Sequence, residues 1–504
     1  MSISSTKIVA RNTIIMFLRM IILMVIAFYS SRLLLATLGI SDYGVFSVVG
    51  SISSTFVAIK SLFSESIQRF LNVAKGRTSD SIKEQQAIFN MSIMVHIVLI
   101  FFFVIVVEIV GGWLLNNKLD IPLDRMEAAT FVFHMTVIAT TIGIISVPYD
   151  AVIVANEKMS VFAGITVFDA LLKLLFIFLL PVISLDYLKV YSVLLVIIPI
   201  TTILIQLIYC RRFPECRYKT FFDKKLFQEI MGLSGWNFFG NISFSIIHEG
   251  INMLLNVYGG VVMNASRAIA YQVKNVASQI STNTLVASRP RIMQHSVQKS
   301  KEQYFEDIFL LSRISYFSLA LAIVPLFVYC PQLLSIWLTE VPEASTTFTR
   351  LVLIGLFIRS LHEPLNIMNM AYASIKRMML IEVVFMLSSL VVIYIVLRNS
   401  GLIWFPFAYL SFMEVLIIIG LIINGKFEIG FPLRKYLKEV ICPMLLFSLV
   451  SSAFGFIINH VFKPSTVISV LLCILLIVIV EMIFCWLFFN TREKLLILKF
   501  IDKE

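Results

Sequence analysis

NASRAIAYQVKNVASQISTNTLVAS, residues 264–288, is the stretch on which the fold turns. Its surroundings are apolar enough to sit in lipid, yet it carries Arg267, Gln272, Lys274, Asn275 and Gln279. At about 100° per residue the polarity resolves into faces. Asn264, Arg267, Tyr271, Lys274, Ser278 and Ser281 fall on one side, and Ile269, Val273, Val276 and Ile280 on the other. Such a helix either lies along a surface or crosses a membrane with its polar face toward a water-filled, cationic cavity. The rest of the chain decides between the two.

Of the 504 residues 59% are hydrophobic and 14% charged, whereas a soluble domain carries about a quarter charged residues. Apolar runs long enough to cross a hydrocarbon core of ~30 Å recur from end to end. Without water to pair the backbone, these crossings must be helices. The expected fold class is an all-α integral membrane protein. The first apolar run is too long for a signal peptide and lacks a small-residue cleavage site. The net charge of +11 is spread over short connecting loops, so it does not mark a nucleic-acid partner. Six cysteines without CxxC spacing read as small core residues with neither a disulfide nor a metal role.

Fourteen segments are expected to span if 261–287 is one of them. Alternate loops then carry nearly all the basic residues, from Lys7 and Arg11 to Arg492 and Lys494, which places those loops and both termini in the cytoplasm. Removing 261–287 would invert every later loop and destroy the asymmetry, so the polar stretch spans. A shift of 220 residues lays LGISDYGVFSVVG (38–50) on YGGVVMNASRAIA (258–270). It makes 44–63, another poor hydropathy peak, the counterpart of the polar stretch. The organisation expected is an N-terminal six-helix lobe (1–215), a C-terminal six-helix lobe (216–430) related to it as a parallel repeat, and two further transmembrane helices with a tail (431–504). VPYDAVIVANEKM (147–159) loosely parallels EPLNIMNMAYASIKRM (363–378), each with a proline inside a helix.

The segment RLLLATLGISDYGVFSVV (32–49), with its LG-x-x-x-YG turn, is followed by a polar second helix, two six-helix halves and basic cytoplasmic loops. In these features the chain resembles the polysaccharide-biosynthesis flippases of the multidrug, oligosaccharidyl-lipid and polysaccharide exporter superfamily. Fourteen helices resemble the lipid-linked oligosaccharide and peptidoglycan-precursor flippases more than the typically twelve-helix drug antiporters. The resemblance implies an undecaprenyl-pyrophosphate-linked sugar repeat unit as substrate, moved from the cytoplasmic to the periplasmic leaflet of a bacterial inner membrane. It implies service to O-antigen, capsule or exopolysaccharide assembly, with membrane lipids, a polysaccharide polymerase and a chain-length regulator as partners. A cation-coupled multidrug antiporter is the alternative.

An ionised side chain at mid-bilayer costs about 2.5–3.5 kcal/mol on insertion scales. Arg267 and Lys274 lie one heptad apart and point the same way, so they are expected to face water, an anion, or both. A pyrophosphate suits them, because Arg offers a planar fork and Lys a point charge. Tyr271 lies between them, placed to donate a hydrogen bond or to stack on a sugar. Arg19, Arg32, Lys60 and Arg359 complete the candidate substrate-binding set. The first three lie toward helix ends, where long stems also allow snorkelling. Glu249, beside His248, and Glu363, next to Pro364 and four residues from Arg359, are candidate cation-coupling carboxylates. Two readings stand for them. Pro364 frees a backbone carbonyl, and a broken helix beside a carboxylate builds a small-cation site. Carboxylates on helices seven and ten of the related drug antiporters bind the coupling cation, so the resemblance points the same way, to Na+ or H+. Alternatively, Glu363 pairs with Arg359, and Glu249 answers Arg267 or Lys274.

No nucleotide-binding motif, metal-ligand cluster or long extracytoplasmic loop is evident, so neither an enzyme nor a bound cofactor is expected. The arrangement predicted is a flippase working by alternating access around a central cationic cavity. Its topology is testable. Lys219→Cys and Ser300→Cys should be shielded from a membrane-impermeant thiol reagent in intact cells, and Glu343→Cys should react. A reactive residue 300 would mean that 261–287 does not span.

Overall fold

A computed structural model describes residues 3–54, 57–76, 81–218, 223–298, 300–372, 375–464, 466–488 and 494, with side chains for most of them. Among these residues the regular elements are all helical. Eleven stretches are long and apolar enough to cross a membrane. One of them, Ile14–Ser53, is interrupted at Gly39. The polar stretch lies outside the eleven because its composition, not its length, disqualifies it. The fourteen crossings expected include this stretch, which lies on the long helix Lys224–Gln298.

The chain divides into two compact units, Met1–Ala265 and Ser266–Glu504. The first contains α1 (Ile3–Ser54), α2 (Val57–Gly76), α3 (Ser81–Val106), α4 (Gly112–Asn117), α5 (Met126–Ile145), α6 (Val147–Ala155), α7 (Met159–Leu179), α8 (Tyr187–Cys210) and the first part of α9 (Lys224–Gln298). Val45, Val48, Val49 and Ile52 recur at helical spacing on α1 and are buried against α2, α3 and α5. A π-turn, Val107–Gly111, joins α3 to α4, and its Gly111 lets Ile52 and Phe133 close over the backbone. Further along the chain α5 packs on α8, and α1 on α7. Arg125 forks between Asp42, just past the α1 break, and Asp186, the N-cap of α8 (Nη1 to Oδ2, 2.7 Å). Burial pushes the Asp186 carboxyl up, but Arg125 and the N–H groups of Lys189 and Leu188 outweigh it and hold it below its ordinary value.

Two glycines set the crossings. A helix of 75 residues would be about 110 Å long if straight, yet α9 doubles back. Asn264 Nδ2 donates to the backbone oxygen of Asn252 at 2.7 Å, a contact no straight helix allows twelve residues apart. The reversal falls at Gly260 (φ 71°, ψ −177°), and α1 breaks at Gly39 in nearly the same conformation (φ 76°, ψ 169°). Only glycine occupies that region without strain. The structural equivalents are thus 221 residues apart, one more than the ungapped shift of the sequence. The residue that must adopt positive φ fixes the register, and side-chain identities do not.

Around the second break the polar groups close on one another. Asn256 exchanges hydrogen bonds with the backbone of Asp120 (2.7 and 3.1 Å) and donates to Asn264, and Asn252 donates to the Ser47 carbonyl. Gly44 permits the approach, since any Cβ there would fall on the Val261 carbonyl oxygen.

The second unit contains the remainder of α9, α10 (Lys301–Val328), α11 (Cys330–Trp337), α12 (Ser345–Tyr372), α13 (Ile375–Ser400), α14 (Phe405–Ile429), α15 (Leu433–Tyr436), α16 (Cys442–Phe462) and α17 (Val467–Phe488). Within it α12 packs on α10 and α14, and the last two helices lean on α10. Tyr316 donates to the Met444 carbonyl and Arg313 to that of Glu439, which fixes α16 to α10. The two proline segments differ. Ser146 and Pro148 separate α5 from α6, whereas α12 runs through Pro364 without interruption. The broken helix expected beside Glu363 is therefore not formed, because packing on both sides holds α12 helical despite the missing donor.

Gly260→Ala and Gly39→Ala are each expected to destabilise the protein by about 1–3 kcal/mol, the cost of forcing a side chain into this backbone region. Gly→Ala at helical Gly164, where a Cβ meets nothing within 4 Å, is the control. Thermal unfolding in detergent separates them, and equal Tm values for the three would contradict the glycine argument.

Candidate anion-binding site

The site is built on three helices of the second unit. On α9 the i, i+4, i+7 spacing places Arg267, Tyr271 and Lys274 on one face. The Arg267 guanidinium carbon lies 4.2 Å from the centre of the Tyr271 ring and Lys274 Nζ 4.8 Å from it. One ring therefore serves two cations, each contact contributing on the order of 0.5–2 kcal/mol. Arg267 is buried and Lys274 half-buried. Two positive charges held this close in a low-dielectric layer repel, and the shared ring offsets part of that repulsion.

The counter-charges come from α12 and α14. Arg359 Nη1 donates to Glu414 Oε1 at 2.7 Å, and its Nη2 stands 3.6 Å from Glu363 Oε1 on the same helix. His362 Nδ1 is 3.2 Å from the other Glu414 oxygen. The two carboxylates are unequal: the Glu414 side chain is 11% exposed and that of Glu363 38%. Arg359, Glu414 and Arg267 are the charges acting on Lys274, so the α9 face and the α12–α14 seam form one electrostatic cluster. The seam itself is close-packed. Gly355 leaves room for Ser411, and Asn424 donates to Asn369 at 2.8 Å.

Of the residues singled out in the sequence, Arg267, Tyr271, Lys274, Arg359 and Glu363 thus belong to this unit. The others lie in the first. Arg19 on α1 donates through Nε to Thr166 at 2.8 Å and lies 5.0 Å from the Phe162 ring centre, with Asp150 the charge acting on it. Nearby helices carry further polar pairs, Gln206 to Asp150 and Thr202 to Asp169. Arg32 is exposed on α1, and Glu249 is half-buried on the first part of α9. Thirteen residues along a helix separate Arg19 from Arg32, about 20 Å, so they do not share one ligand site. The side chain of Lys60 lies outside the described residues. Glu414 is the member that sequence reasoning passed over. A lone acid in the run FMEVLIII signals only that a cation lies somewhere near, and its partner is 55 residues away.

No protein-family profile and no curated protein matches this sequence. Solved structures do match its fold. The lipid II flippase MurJ in an inward closed conformation gives a TM-score of 0.70 at 13% identity, over 95% of this chain and 98% of that one. A multidrug resistance MATE family transporter of the MOP superfamily, inward-facing, gives 0.63 at 11% identity, over 80% and 94%. A MATE in complex with MaD3S gives 0.55 at 13% identity, over 84% and 94%. The chain has the all-helical membrane fold of these exporters.

The inequality of the two carboxylates has a measurable consequence. Glu414→Ala leaves Arg359 without its buried partner and is expected to cost about 3 kcal/mol. Glu363→Ala removes a longer, exposed contact and should cost less than about 1 kcal/mol. A larger fall in Tm for the Glu363 variant would reverse the assignment.

Proposed function

We propose that this chain is a flippase for an undecaprenyl-pyrophosphate-linked oligosaccharide repeat unit. It would carry the unit from the cytoplasmic to the periplasmic leaflet of a bacterial inner membrane, for assembly of O-antigen, capsule or exopolysaccharide. The observation that carries this reading is the Arg267–Tyr271–Lys274 face, a pair of cations on a helix that crosses the membrane. An organic cation would be repelled there, and an anionic head group is attracted. The shared fold with a lipid II flippase supports a lipid-linked cargo, and the fold shared with MATE transporters supports carriage without chemical change.

In this reading the planar Arg267 fork takes two phosphate oxygens and Lys274 a third, with Tyr271 setting the distance between them. Arg359 is spoken for by Glu414 and contributes charge to the site more than direct contact. The prenyl tail stays in lipid while the head and sugars cross by alternating access. A lipid pyrophosphate carries roughly two negative charges, each worth about 2.3 kcal/mol per 100 mV of membrane potential. With the cytoplasm negative, export of the head group is electrically downhill.

Arg267→Ala and Lys274→Ala should each slow flipping of a lipid-linked oligosaccharide in proteoliposomes by about tenfold or more, the equivalent of ~1.4 kcal/mol. The double variant should fail to support surface-polysaccharide assembly in cells while its membrane level stays normal. Wild-type flipping by the double variant would overturn the proposal.

A further inference from the structure

We infer that Arg359 is a tethered counter-cation: its guanidinium occupies the place between Glu363 and Glu414 where a free metal cation would otherwise bind. The second unit then carries its own cation through every cycle and takes none from solution at these carboxylates. The inference concerns ion use, and it stands whether or not the cargo is a lipid pyrophosphate.

Three observations carry it. The first is geometry. The guanidinium reaches Glu414 at 2.7 Å and Glu363 at 3.6 Å from two different nitrogens, so both carboxylates face a single planar cation. The second is the helix. A small cation would need additional oxygen ligands, and an opened helix at Pro364 would have supplied backbone carbonyls. α12 passes Pro364 unbroken, and His362 Nδ1 lies beside the remaining Glu414 oxygen. The third is charge. Arg267 and Lys274 belong to the same electrostatic cluster as Arg359 and Glu414, and each of these cations opposes the entry of another.

A free cation would have to displace a group that is covalently held next to its partner. The displaced guanidinium would then stand unpaired within the membrane, at a cost of about 2.5–3.5 kcal/mol on insertion scales. Both effects oppose binding. Removing the guanidinium removes both, and the two carboxylates on α12 and α14 lose the cation that lies between them.

The full-length protein in detergent, unfolded by heat in choline chloride and in NaCl at equal ionic strength, tests this without any lipid substrate. Wild type should give the same Tm in both salts. Arg359→Ala should show a saturable rise with Na+, of about 2 °C or more by about 100 mM, and Arg359→Ala/Glu414→Gln should lose it. Arg359→Lys keeps a tethered charge and should behave as wild type. A saturable Na+-dependent rise in wild type, removed by Glu363→Gln or Glu414→Gln, would overturn the inference. So would a folded Arg359→Ala protein indifferent to Na+. Should that variant not fold, the wild-type titration still decides. Failure here leaves the flippase reading intact, and failure of the flipping assay leaves this one intact.

Discussion

A charge or a peptide group that enters the hydrocarbon layer leaves its water behind and must find a partner in the chain. That constraint dictates helices throughout, and it also dictates where the helices touch. Asn252, Asn256 and Asn264 satisfy one another and the loop at Asp120, and so fix the reversal of α9. Arg19 turns to Thr166 and to the face of Phe162. Arg359 turns to Glu414 across the α12–α14 seam. The contacts of Arg19, Arg359 and the Asp120 loop join segments far apart in sequence. Apolar packing fills the space between them without choosing among registers.

The second unit adds a refinement of the same rule. Its α9 face presents two cations to one aromatic ring, while a third cation is tied down by two acids on α12 and α14. An arginine between two carboxylates is largely neutralised where it stands, whereas a ring contact stabilises a cation without adding a counter-charge. The same residue type thus has two kinds of partner within one cluster.

Much of this was legible in the sequence. Apolar run length gave the number of crossings, and the loop charges showed that the polar stretch must be one of them. Heptad spacing put Arg267, Tyr271 and Lys274 on one face, where the structure has them. What escaped was whatever depends on pairing between distant helices. Glu414 is one acid in an apolar run until α14 is laid against α12. Pro364 reads as a break, and only packing shows that the helix continues. The ungapped shift of 220 residues stands one residue from the register that the backbone angles at Gly39 and Gly260 set.

The doubling back of α9 also bears on how the protein enters the membrane. Its second half carries Arg267 and Lys274 and would partition poorly into lipid if it were offered alone, since each such residue costs about 2.5–3.5 kcal/mol near the centre of a bilayer. Its first half ends in Asn252 and Asn256, the groups that Asn264 requires. The turn at Gly260 brings the two together before any later helix exists. The start of the polar segment is thus anchored by the segment made just before it, ahead of every later helix.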